Sequence, residues 1–362
     1  MSDSVFIIAE AGVNHNGSLE RAQRMIRVAK DAGADAIKFQ TFKSESVVTK
    51  TAGKALYQKK NTGSDESQYE MIKKLELDQA AHQELWKSAK EIGIEILSTP
   101  FDLESLRFLA HEVKVSRIKI ASGEITNAPL LMAAARTGVP IILSTGMSTL
   151  DDIRAALGVI AFGYCEPSLS PSPKAFSELF LSENARRVLR GKVSLMHCTT
   201  SYPTPPEDVN LMAIQTLRDE FSLPVGLSDH SMGTTAAAGA VALGASMVEK
   251  HFTLDKSLPG PDHRASLDPS ELECLVRTVR DAEAMRGLGI KAPVPSEVST
   301  MAVVRRSLVA ARPIRRGEPF SPENLTVKRP GTGVSPMLYW SFLGKPAARA
   351  YDADDLIDER PQ

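Results

Sequence analysis

The sequence has few cysteines, few aromatic residues and no excess of charge of either sign. Only 3 of its 362 residues are cysteine, none of them in a CxxC pair, and aromatic residues make up 6%. An odd number of widely spaced cysteines favours free thiols in a reducing compartment over a disulfide framework. A net charge of -1 leaves no basic surplus for binding nucleic acid or an anionic membrane surface. We therefore expect no nucleic-acid partner.

Long hydrophobic runs are also missing. The amino terminus has a short apolar run, Val5 to Ala9, which ends at Glu10 and has no basic segment before it. This pattern does not resemble a signal peptide. No stretch approaches the roughly 18 to 20 consecutive apolar residues that a membrane span needs. We expect a cytoplasmic protein with no membrane partner.

The sequence does contain a regular alternation of strand-length and helix-length segments. Eight apolar, β-branched runs lack strict alternation, which is typical of strands buried on both faces of a parallel sheet. Eight βα repeats are the number that closes a barrel, and the first βα turn, EAGVNHNGS, lacks the GxGxxG of an open dinucleotide-binding sheet. The predicted fold is an α/β (β/α)8 TIM barrel. The predicted strands are Val5–Ala9, Ala36–Phe39, Ile94–Leu97, Arg117–Ile120, Pro140–Leu143, Val193–Met196, Val225–Leu227 and Met247–Val248.

The pattern changes after Arg286. We predict a barrel domain over residues 1–286, a linker over 287–300 that is rich in Pro, Gly and Ser, and a small module over 301–362. The module has short β-like runs and little helix, and is too small to have much core of its own. Within the barrel, Gly163 to Lys192 is an elaboration that opens with a Pro/Ser loop and continues as an amphipathic helix.

Two histidines follow neighbouring predicted strands. His230 and His251 each end a short apolar run, and a helix-length segment, Thr234 to Gly244, lies between them. If the two strands are parallel neighbours, both imidazoles lie at the same carboxyl-terminal edge. Two imidazoles among oxygen donors predict part of a divalent-metal site. The alternative is that each histidine is only a hydrogen-bonded residue at the end of a strand.

Lysines and carboxylates are predicted at the same edge. Lys38 and Lys119 would be costly to bury without an anion, so they predict a phosphate or carboxylate clamp. The alternative is that each lysine pairs with Glu10 or Glu124, which can also act as general acid or base. Together these groups predict a site that binds a phosphorylated anion, polarises an aldehyde and moves a proton, as carbon–carbon bond formation or cleavage requires. Hydroxyls that could assist the clamp are Thr99, Ser122, Thr200 and Ser228.

Several strings in this order resemble the sialic acid synthase family. They are IIAEAGVNHNGSL, GADAIKFQTF, STPFDLES, KIASGEITNAPLL, ILSTGMS, LMHCTTSYPTP, GLSDHS and EKHFTLDKSLPGPDH. The tail, SLVAARPIRRGEPFSPENLTVKRPGTGVSP, is similar to that family's carboxyl-terminal antifreeze-like SAF domain, which has a β-clip fold. The resemblance implies an enzyme that condenses phosphoenolpyruvate with N-acetylmannosamine or a close acetamido sugar, forming a nonulosonic acid such as N-acetylneuraminate and releasing phosphate.

The resemblance also implies roles for individual residues. His230 and His251 would hold a divalent cation, Mn²⁺ above Mg²⁺ or Co²⁺. Glu10, Glu124 and Lys38 would be catalytic. Arg329 would reach the barrel of a partner subunit, which implies a homodimer with exchanged domains. The implied phosphoenolpyruvate contacts are Lys38, Thr99, Lys119, Ser122, Thr200 and Ser228. The implied sugar contacts are Gln40, Tyr202, Asp262 and Arg329.

Alternatives stay open at this point. The acceptor could be a 2,4-diacetamido-trideoxymannose, which gives a legionaminic acid, or an altrose analogue, which gives a pseudaminic acid. Lys119 within a strand could instead serve a Schiff-base aldolase. A metallohydrolase would need a third protein ligand, for which His197 and Asp229 are the candidates. An ice- or carbohydrate-binding role for the tail is disfavoured by its dense charges.

Overall fold

The computed structural model describes residues 4–54, 58–59, 66–166 and 169–358. The chain forms two compact units, Met1–Gly287 and Leu288–Gln362. We describe each unit separately.

The first unit is a nearly closed barrel of parallel strands. The hydrogen-bonded order is β3-β2-β1-β8-β7-β6-β5-β4, and β3 and β4 lie next to each other. This arrangement confirms the predicted (β/α)8 architecture. The strands are β1 (Phe6–Gly12), β2 (Ala36–Thr41), β3 (Glu95–Pro100), β4 (Ile118–Ile120), β5 (Ile141–Ser144), β6 (Val193–Cys198), β7 (Val225–Asp229) and β8 (Met247–His251).

Helices connect successive strands around the barrel. Most begin at a Ser, Thr, Asp or Asn whose side chain accepts an amide hydrogen bond, as Ser18, Asp78 and Thr149 do. None of the helices within the described ranges combines the length and apolar content needed to cross a bilayer. The helices of the first unit are α1 (Leu19–Asp31), α2 (Ser44–Val47), α3 (Gln68–Lys73), α4 (Gln79–Ile92), α5 (Leu103–Arg107), α6 (Ala128–Arg136), α7 (Leu150–Cys165), α8 (Pro173–Phe180), α9 (Glu183–Lys192), α10 (Ala213–Phe221), α11 (Thr235–Ala242) and α12 (Pro269–Arg286).

The inside of the barrel has an apolar layer below a polar layer. Successive side chains of a strand point to opposite faces, so residues two apart share a face. The buried apolar side chains that meet inside come from six strands, and each is followed two residues later by a polar residue or a cysteine. These pairs are Ile8 and Glu10, Ala36 and Lys38, Leu97 and Thr99, Ile142 and Ser144, Met196 and Cys198, and Met247 and Glu249. The strands therefore deliver their polar side chains to the carboxyl-terminal end of the barrel interior.

Several predicted boundaries differ from the structure. Two polar residues just beyond the predicted strands belong to the strands themselves, since Glu10 lies within β1 and Gln40 within β2. The chain from Gln68 to Ile92 forms two helices, α3 and α4, because Asp78 caps a new helix that begins at Gln79. The short helix α5 continues into a π-helical turn, Phe108–Glu112.

The segments assigned to loop and linker contain more helix than predicted. In the elaboration that ends at Lys192, the single predicted helix is two, α8 and α9. Part of the predicted linker is α13 (Pro295–Val304). The proline and serine that suggested a linker instead begin this helix, with Pro295 in its first turn and Glu297 accepting a hydrogen bond from the amide of Val294.

The second unit has its own small core. It contains α13, β9 (Ser307–Ala310) paired antiparallel with β10 (Leu325–Lys328), and α14 (Tyr339–Phe342). The two strands confirm the short β-like runs expected here. Large side chains, including Phe320, Phe342 and Tyr351, fill the centre of this unit.

Candidate functional site

A buried carboxylate lies at the centre of the polar layer. Glu249 on β8 is 3% exposed, and its Oε1 accepts a hydrogen bond from Oγ of Ser228 at 2.8 Å. Nζ of Lys119 lies 3.3 Å from Oε1, and Nζ of Lys38 lies 3.4 Å from Oε2. Three of the residues predicted to bind phosphoenolpyruvate are thus brought together around one negative charge.

Glu10 pairs with Lys38 on the adjacent strand. The register of β1 and β2 places the two residues side by side, and Nζ of Lys38 forms an ion pair with Oε2 of Glu10. The same ammonium donates a hydrogen bond to Oγ1 of Thr99 at 3.2 Å. In this structure the lysine therefore has the carboxylate partner that the sequence analysis offered as an alternative to an anion clamp.

Burial and pairing shift the protonation of this cluster. Burial raises the pKa of Glu10 to about 7, although Lys38 opposes the shift. Burial alone would also raise the pKa of Glu249, but Lys119 and Lys38 outweigh it and hold that pKa below its usual range. Burial alone would lower the pKa of Lys38, but Glu10 and Glu249 raise it above its usual value. Glu249 and Lys38 are therefore charged at neutral pH, whereas Glu10 is poised to exchange a proton.

Lys119 differs from Lys38 because it has one carboxylate near it rather than two. Its Nζ donates a hydrogen bond to Oγ of Ser144 at 2.7 Å. Burial lowers the pKa of Lys119 below its usual value, and Glu249 opposes this shift. A buried ammonium with incomplete compensation attracts an anion strongly.

Two further predicted anion contacts meet beside the cluster. A Cβ atom at Gly146, just after β5, would lie 2.5 Å from Oγ1 of Thr200 and 2.8 Å from Oγ of Ser122. The hydroxyls from the ends of β4 and β6 therefore converge on Gly146, a position that has no side chain.

Three aromatic rings define the other side of the site. The ring centroids of His230 and His251 are 5.5 Å apart, which agrees with the predicted common edge. The ring of Tyr202 lies 4.2 Å from that of His230 and 5.7 Å from that of His251, the latter in an edge-to-face arrangement. Two predicted cation ligands and one predicted sugar contact are thus brought into one group.

Both imidazoles are neutral at neutral pH and suited to accept a cation. Burial lowers the pKa of His230 to about 4 and that of His251 well below its usual value. Nδ1 of His230 lies 2.7 Å from the carbonyl oxygen of Thr199. Because a carbonyl oxygen can only accept, Nδ1 carries the proton and Nε2 keeps its lone pair. Nδ1 of His251 is buried and has no hydrogen-bond partner among the described residues.

Asp262 lies next to His251. One of its carboxylate oxygens is 4.0 Å from Nδ1 of His251, and burial raises the pKa of Asp262 to about 6. Its loop is fixed from β1, because Nδ2 of Asn14 donates to Oγ of Ser266, which donates to the carbonyl oxygen of Asp262. Within the described ranges, no three His, Cys, Asp or Glu residues form a metal-binding group. The two imidazoles alone would leave most coordination positions to substrate and water.

The remaining predicted residues are less central. Gln40 is half-buried on β2 and shares the face of Lys38, two residues away. Glu124 lies in the turn after β4, where its carboxylate accepts a hydrogen bond from Nδ2 of Asn127 at 2.7 Å. Arg329 belongs to the second unit, where its Nε donates to the carbonyl oxygen of Val304 at 3.0 Å. The role of Arg329 stays a prediction.

The candidate third ligands for a metallohydrolase are engaged elsewhere. The carboxylate of Asp229 contacts Nζ of Lys250 at 2.6 Å and accepts the amide hydrogen bond of Ser231. Nε2 of His197 lies 2.8 Å from the carbonyl oxygen of Val209. These contacts disfavour a hydrolytic site that depends on either residue.

The sequence analysis assigned no role to the central residue Glu249, nor to Ser144 and Cys198. Their spacing within the strands could have identified them as residues of the barrel interior. Each follows a buried interior residue by two positions, as Glu10 and Lys38 do. Counting by two from the apolar layer would have selected all of them.

The arrangement has two neighbouring halves with different chemistry. One half offers two ammonium groups and several hydroxyls for an anion that carries phosphate or carboxylate oxygens. The other half offers neutral imidazoles, an aromatic ring and a carboxylate for a cation and a polyhydroxylated or amide-bearing ligand. A group with a pKa near 7, Glu10, lies on β1, which pairs with both β2 and β8.

Known protein families match both parts of the chain. The chain matches the NeuB family over residues 25–291 and the SAF domain over residues 305–359. It is 48% identical to the N,N'-diacetyllegionaminic acid synthase of Campylobacter jejuni, with 98% of each chain covered. It is 47% identical to the enzyme of the same name from Legionella pneumophila, with 95% of this chain and 90% of the relative covered.

A solved structure shows the same architecture. The N-acetylneuraminic acid synthetase of Leptospira borgpetersenii, in complex with citrate, is 35% identical and has a TM-score of 0.67, with 83% of this chain and 91% of that one covered. The family match spans most of the barrel, and the identities extend over nearly the full length of the curated relatives. The chain belongs to the NeuB family.

Proposed function

We propose that this protein condenses phosphoenolpyruvate with a 2,4-diacetamido-2,4,6-trideoxymannose, giving N,N'-diacetyllegionaminic acid and inorganic phosphate. The observation that supports this reaction most is the buried cluster of Lys38, Lys119 and Glu249 beside two neutral imidazoles. A nonulosonic acid synthase needs an anion clamp next to an aldehyde site, and these two halves meet those needs.

The anion half would bind phosphoenolpyruvate. Lys119 and Lys38 supply positive charge in a buried setting, and hydroxyls of Thr99 and Ser228 lie against the same cluster. An arriving phosphate ester competes with Glu249 for the two ammonium groups. The hydroxyls of Ser122 and Thr200 lie beside Gly146, where they can donate to phosphate oxygens.

The chemical steps then follow from where the groups lie. C3 of phosphoenolpyruvate attacks the aldehyde carbon of the open-chain sugar, which forms the new carbon–carbon bond, opens the C=O double bond and leaves a cationic centre at C2. The aldehyde oxygen takes up a proton and becomes a hydroxyl group. Water adds to C2 and gives one proton to a base; the C2–O bond to phosphate then breaks, the remaining proton of that water leaves with the phosphate, and C2 becomes the ketone carbon. Glu10 is suited to act as that base because burial raises its pKa to about 7. Glu249 and the retained carboxylate of the substrate balance the lysine charges.

We propose that His230 and His251 hold a divalent cation, Mn²⁺ in the first instance. The fit rests on their neutral state, on the buried, unpartnered Nδ1 of His251, and on the contact that orients His230. When bound, such a cation supplies Lewis-acid polarisation of the sugar carbonyl. Asp262 and Tyr202 lie close enough to orient the sugar around it.

The acceptor sugar is assigned from the relatives. The two curated relatives at 48% and 47% identity are both named N,N'-diacetyllegionaminic acid synthase. They favour the 2,4-diacetamido sugar.

We further propose that the protein acts in the cytoplasm as a homodimer with exchanged domains. The three free cysteines are compatible with a reducing compartment. Apolar side chains are exposed on the loops after β5, β6 and β7, as with Met147, Met212 and Met232, and large ones are exposed on the second unit, as with Trp340. Exposed apolar groups of this kind favour a protein partner.

The test is a comparison of acceptors with the purified full-length protein. Phosphoenolpyruvate and Mn²⁺ are supplied with the 2,4-diacetamido-trideoxymannose, its altrose analogue, N-acetylmannosamine or N-acetylmannosamine 6-phosphate. We expect the highest kcat/KM for phosphate release with the first sugar, and a product with the mass of a diacetyllegionaminic acid. The variant K119A, measured alongside, should lose about 100-fold or more because a buried charge-assisted contact is removed.

Two other outcomes would change the assigned sugar or the assigned reaction. A preference for N-acetylmannosamine or its phosphate would overturn the sugar assignment while keeping the reaction. Trapping of pyruvate on Lys119 by borohydride, without phosphate release, would support the Schiff-base aldolase instead. The lowered pKa of Lys119 is compatible with that chemistry, but its contacts with Ser144 and Glu249 are those of an ammonium group.

A further inference from the structure

Gly146 lies in an unusually crowded polar position at the end of β5. A Cβ atom there would be 2.5 Å from Oγ1 of Thr200, 2.8 Å from Oγ of Ser122 and 2.9 Å from Sγ of Cys198. Real Cβ atoms do not approach other atoms this closely, so no other residue fits without displacing one of these groups. The missing side chain thus lets three polar groups from two other strand ends come together.

Gly146 and Cys198 both contact the hydroxyl group of Ser122. The amide of Gly146 donates to Oγ of Ser122 at 3.0 Å, and Oγ lies 3.0 Å from Sγ of Cys198. Because the amide uses a lone pair of Oγ, the hydroxyl proton of Ser122 points away from Gly146. Either Oγ of Ser122 or Sγ of Cys198 can be the donor of their contact. A thiol is both a weak donor and a weak acceptor, so the hydroxyl is kept in place without being held strongly.

Cys198 also connects this group to the central cluster. It is 6% exposed, lies on the interior face of β6 two residues after Met196, and pairs in register with Ser228 on β7. Burial lowers the pKa of Lys119, and Cys198 is among the groups that oppose this shift. The thiol therefore contacts the hydroxyl of Ser122, while its neighbour on β7, Ser228, contacts Glu249 in the lysine cluster.

We propose that Gly146 and Cys198 are positioning residues for the phosphate ester of the donor substrate, holding the hydroxyls of Ser122 and Thr200 ready to donate to its oxygens. This inference rests on the proposed use of phosphoenolpyruvate by the same site. In the free protein the Ser122 hydroxyl meets the thiol, and on binding it turns to a phosphate oxygen, a much stronger acceptor. Gly146 keeps the space in which both hydroxyls can turn.

The first test measures donor binding directly. Dissociation constants for phosphoenolpyruvate and for inorganic phosphate are measured by calorimetry on full-length C198A, C198S and G146A proteins. We expect C198A to weaken phosphoenolpyruvate binding by about three- to tenfold, the size of one hydrogen-bond contribution. C198S should weaken it less, because serine keeps a partner for Ser122. G146A should weaken it most, because its methyl group displaces both hydroxyls.

Matched controls separate positioning from general damage. G191A adds a methyl group at a glycine with no atom within 4 Å, and C274A removes a thiol from the outer helix α12. Both should bind phosphoenolpyruvate as the unchanged protein does. In the positioning variants, KM for phosphoenolpyruvate should rise while KM for the sugar stays the same, which a merely structural role would not produce. If G146A fails to fold, C198A and C198S still decide the question.

The second test uses the thiol as a probe. In a C165S/C274S background, Cys198 is the only thiol, and its alkylation by iodoacetamide is followed by mass spectrometry. Saturating phosphoenolpyruvate should slow the reaction, with a half-maximal concentration equal to the dissociation constant. Unchanged donor affinity in both C198A and G146A would overturn the proposal. Protection of the thiol and weakened donor binding in a protein that makes no product with any sugar would uphold the inference and reject the proposed function.

Discussion

At the scale of single residues, the site is organised by compensation of buried charge. Two lysines are buried at the end of the barrel, and Glu249 is the carboxylate that both of them approach. Burial of one unpaired charge is far more costly than burial of a neutralised group. Glu249 therefore stabilises the protein without bound substrate, because its charge compensates the two lysines until an anion binds. Glu10 adds a carboxyl group whose pKa, raised to about 7 by burial, allows it to gain or lose a proton.

The two imidazoles carry a residue-scale prediction about metal removal. H230A and H251A should each bind Mn²⁺ about 100-fold more weakly or worse, since loss of supporting groups alone costs 10- to 100-fold. Binding is measured by the loss of the free Mn²⁺ signal in electron paramagnetic resonance, which does not depend on catalysis. H111A, which changes an exposed histidine, is the control and should bind normally. Unaltered Mn²⁺ affinity in H251A would show that the cation, if any, binds elsewhere.

At the scale of elements, function depends on close approach of neighbouring strands. Gly226 on β7 lies against β8, where a Cβ atom would be 2.2 Å from Cγ and 2.6 Å from the backbone oxygen of Met247. Two residues further along these strands are Ser228 and Glu249, whose side chains share a hydrogen bond. The register of this strand pair therefore places the central carboxylate.

G226A tests this contact. The added methyl group meets the backbone of Met247 as well as its side chain, so the strands must separate, at a cost of about 1–3 kcal/mol. We expect a lower unfolding temperature in calorimetry and a reduced affinity for phosphoenolpyruvate. G191A adds a Cβ that meets no atom within 4 Å, at a helix position where alanine is favoured over glycine. It should leave the affinity for phosphoenolpyruvate unchanged and should not lower the unfolding temperature. Equal unfolding temperatures for G226A and the unchanged protein would mean that the two strands can adjust without cost.

At the scale of the whole molecule, the chain is two units with separate cores. The barrel unit contains the buried lysines, the carboxylates and the two histidines of the candidate site. Arg329 belongs to the second unit. If Arg329 completes the sugar site of a partner subunit, two differently inactivated chains can complement each other.

K119A and R329A chains provide this test when they are co-expressed with different tags. In a mixed dimer with exchanged domains, one site combines an intact barrel with an intact Arg329. Random assembly then restores about a quarter of the normal activity, because half of the dimers are mixed and each has one complete site. Each variant alone should be nearly inactive with the diacetamido sugar. A purified mixed dimer that is no more active than its parents would show that Arg329 does not act across subunits.

The sequence by itself determined the barrel, because buried parallel strands and their connecting helices leave local patterns that need no knowledge of distant contacts. It also indicated the two histidines and the lysines, since the ends of parallel strands share one edge. It did not show that Pro295–Val304 is a helix, because proline and serine are as common at helix starts as in linkers.

Tertiary structure alone decided which side chains meet. From the sequence, Lys38 and Lys119 could each pair with Glu10 or Glu124. In the structure Lys38 does pair with Glu10, but β8 also places Glu249 between the two lysines, and Glu124 contacts its own turn. Strand register also removes Asp229 from the site, by pairing it with Lys250 on the opposite face. Such choices depend on contacts between residues far apart in sequence, and a shift of one residue in register would reverse every one of them.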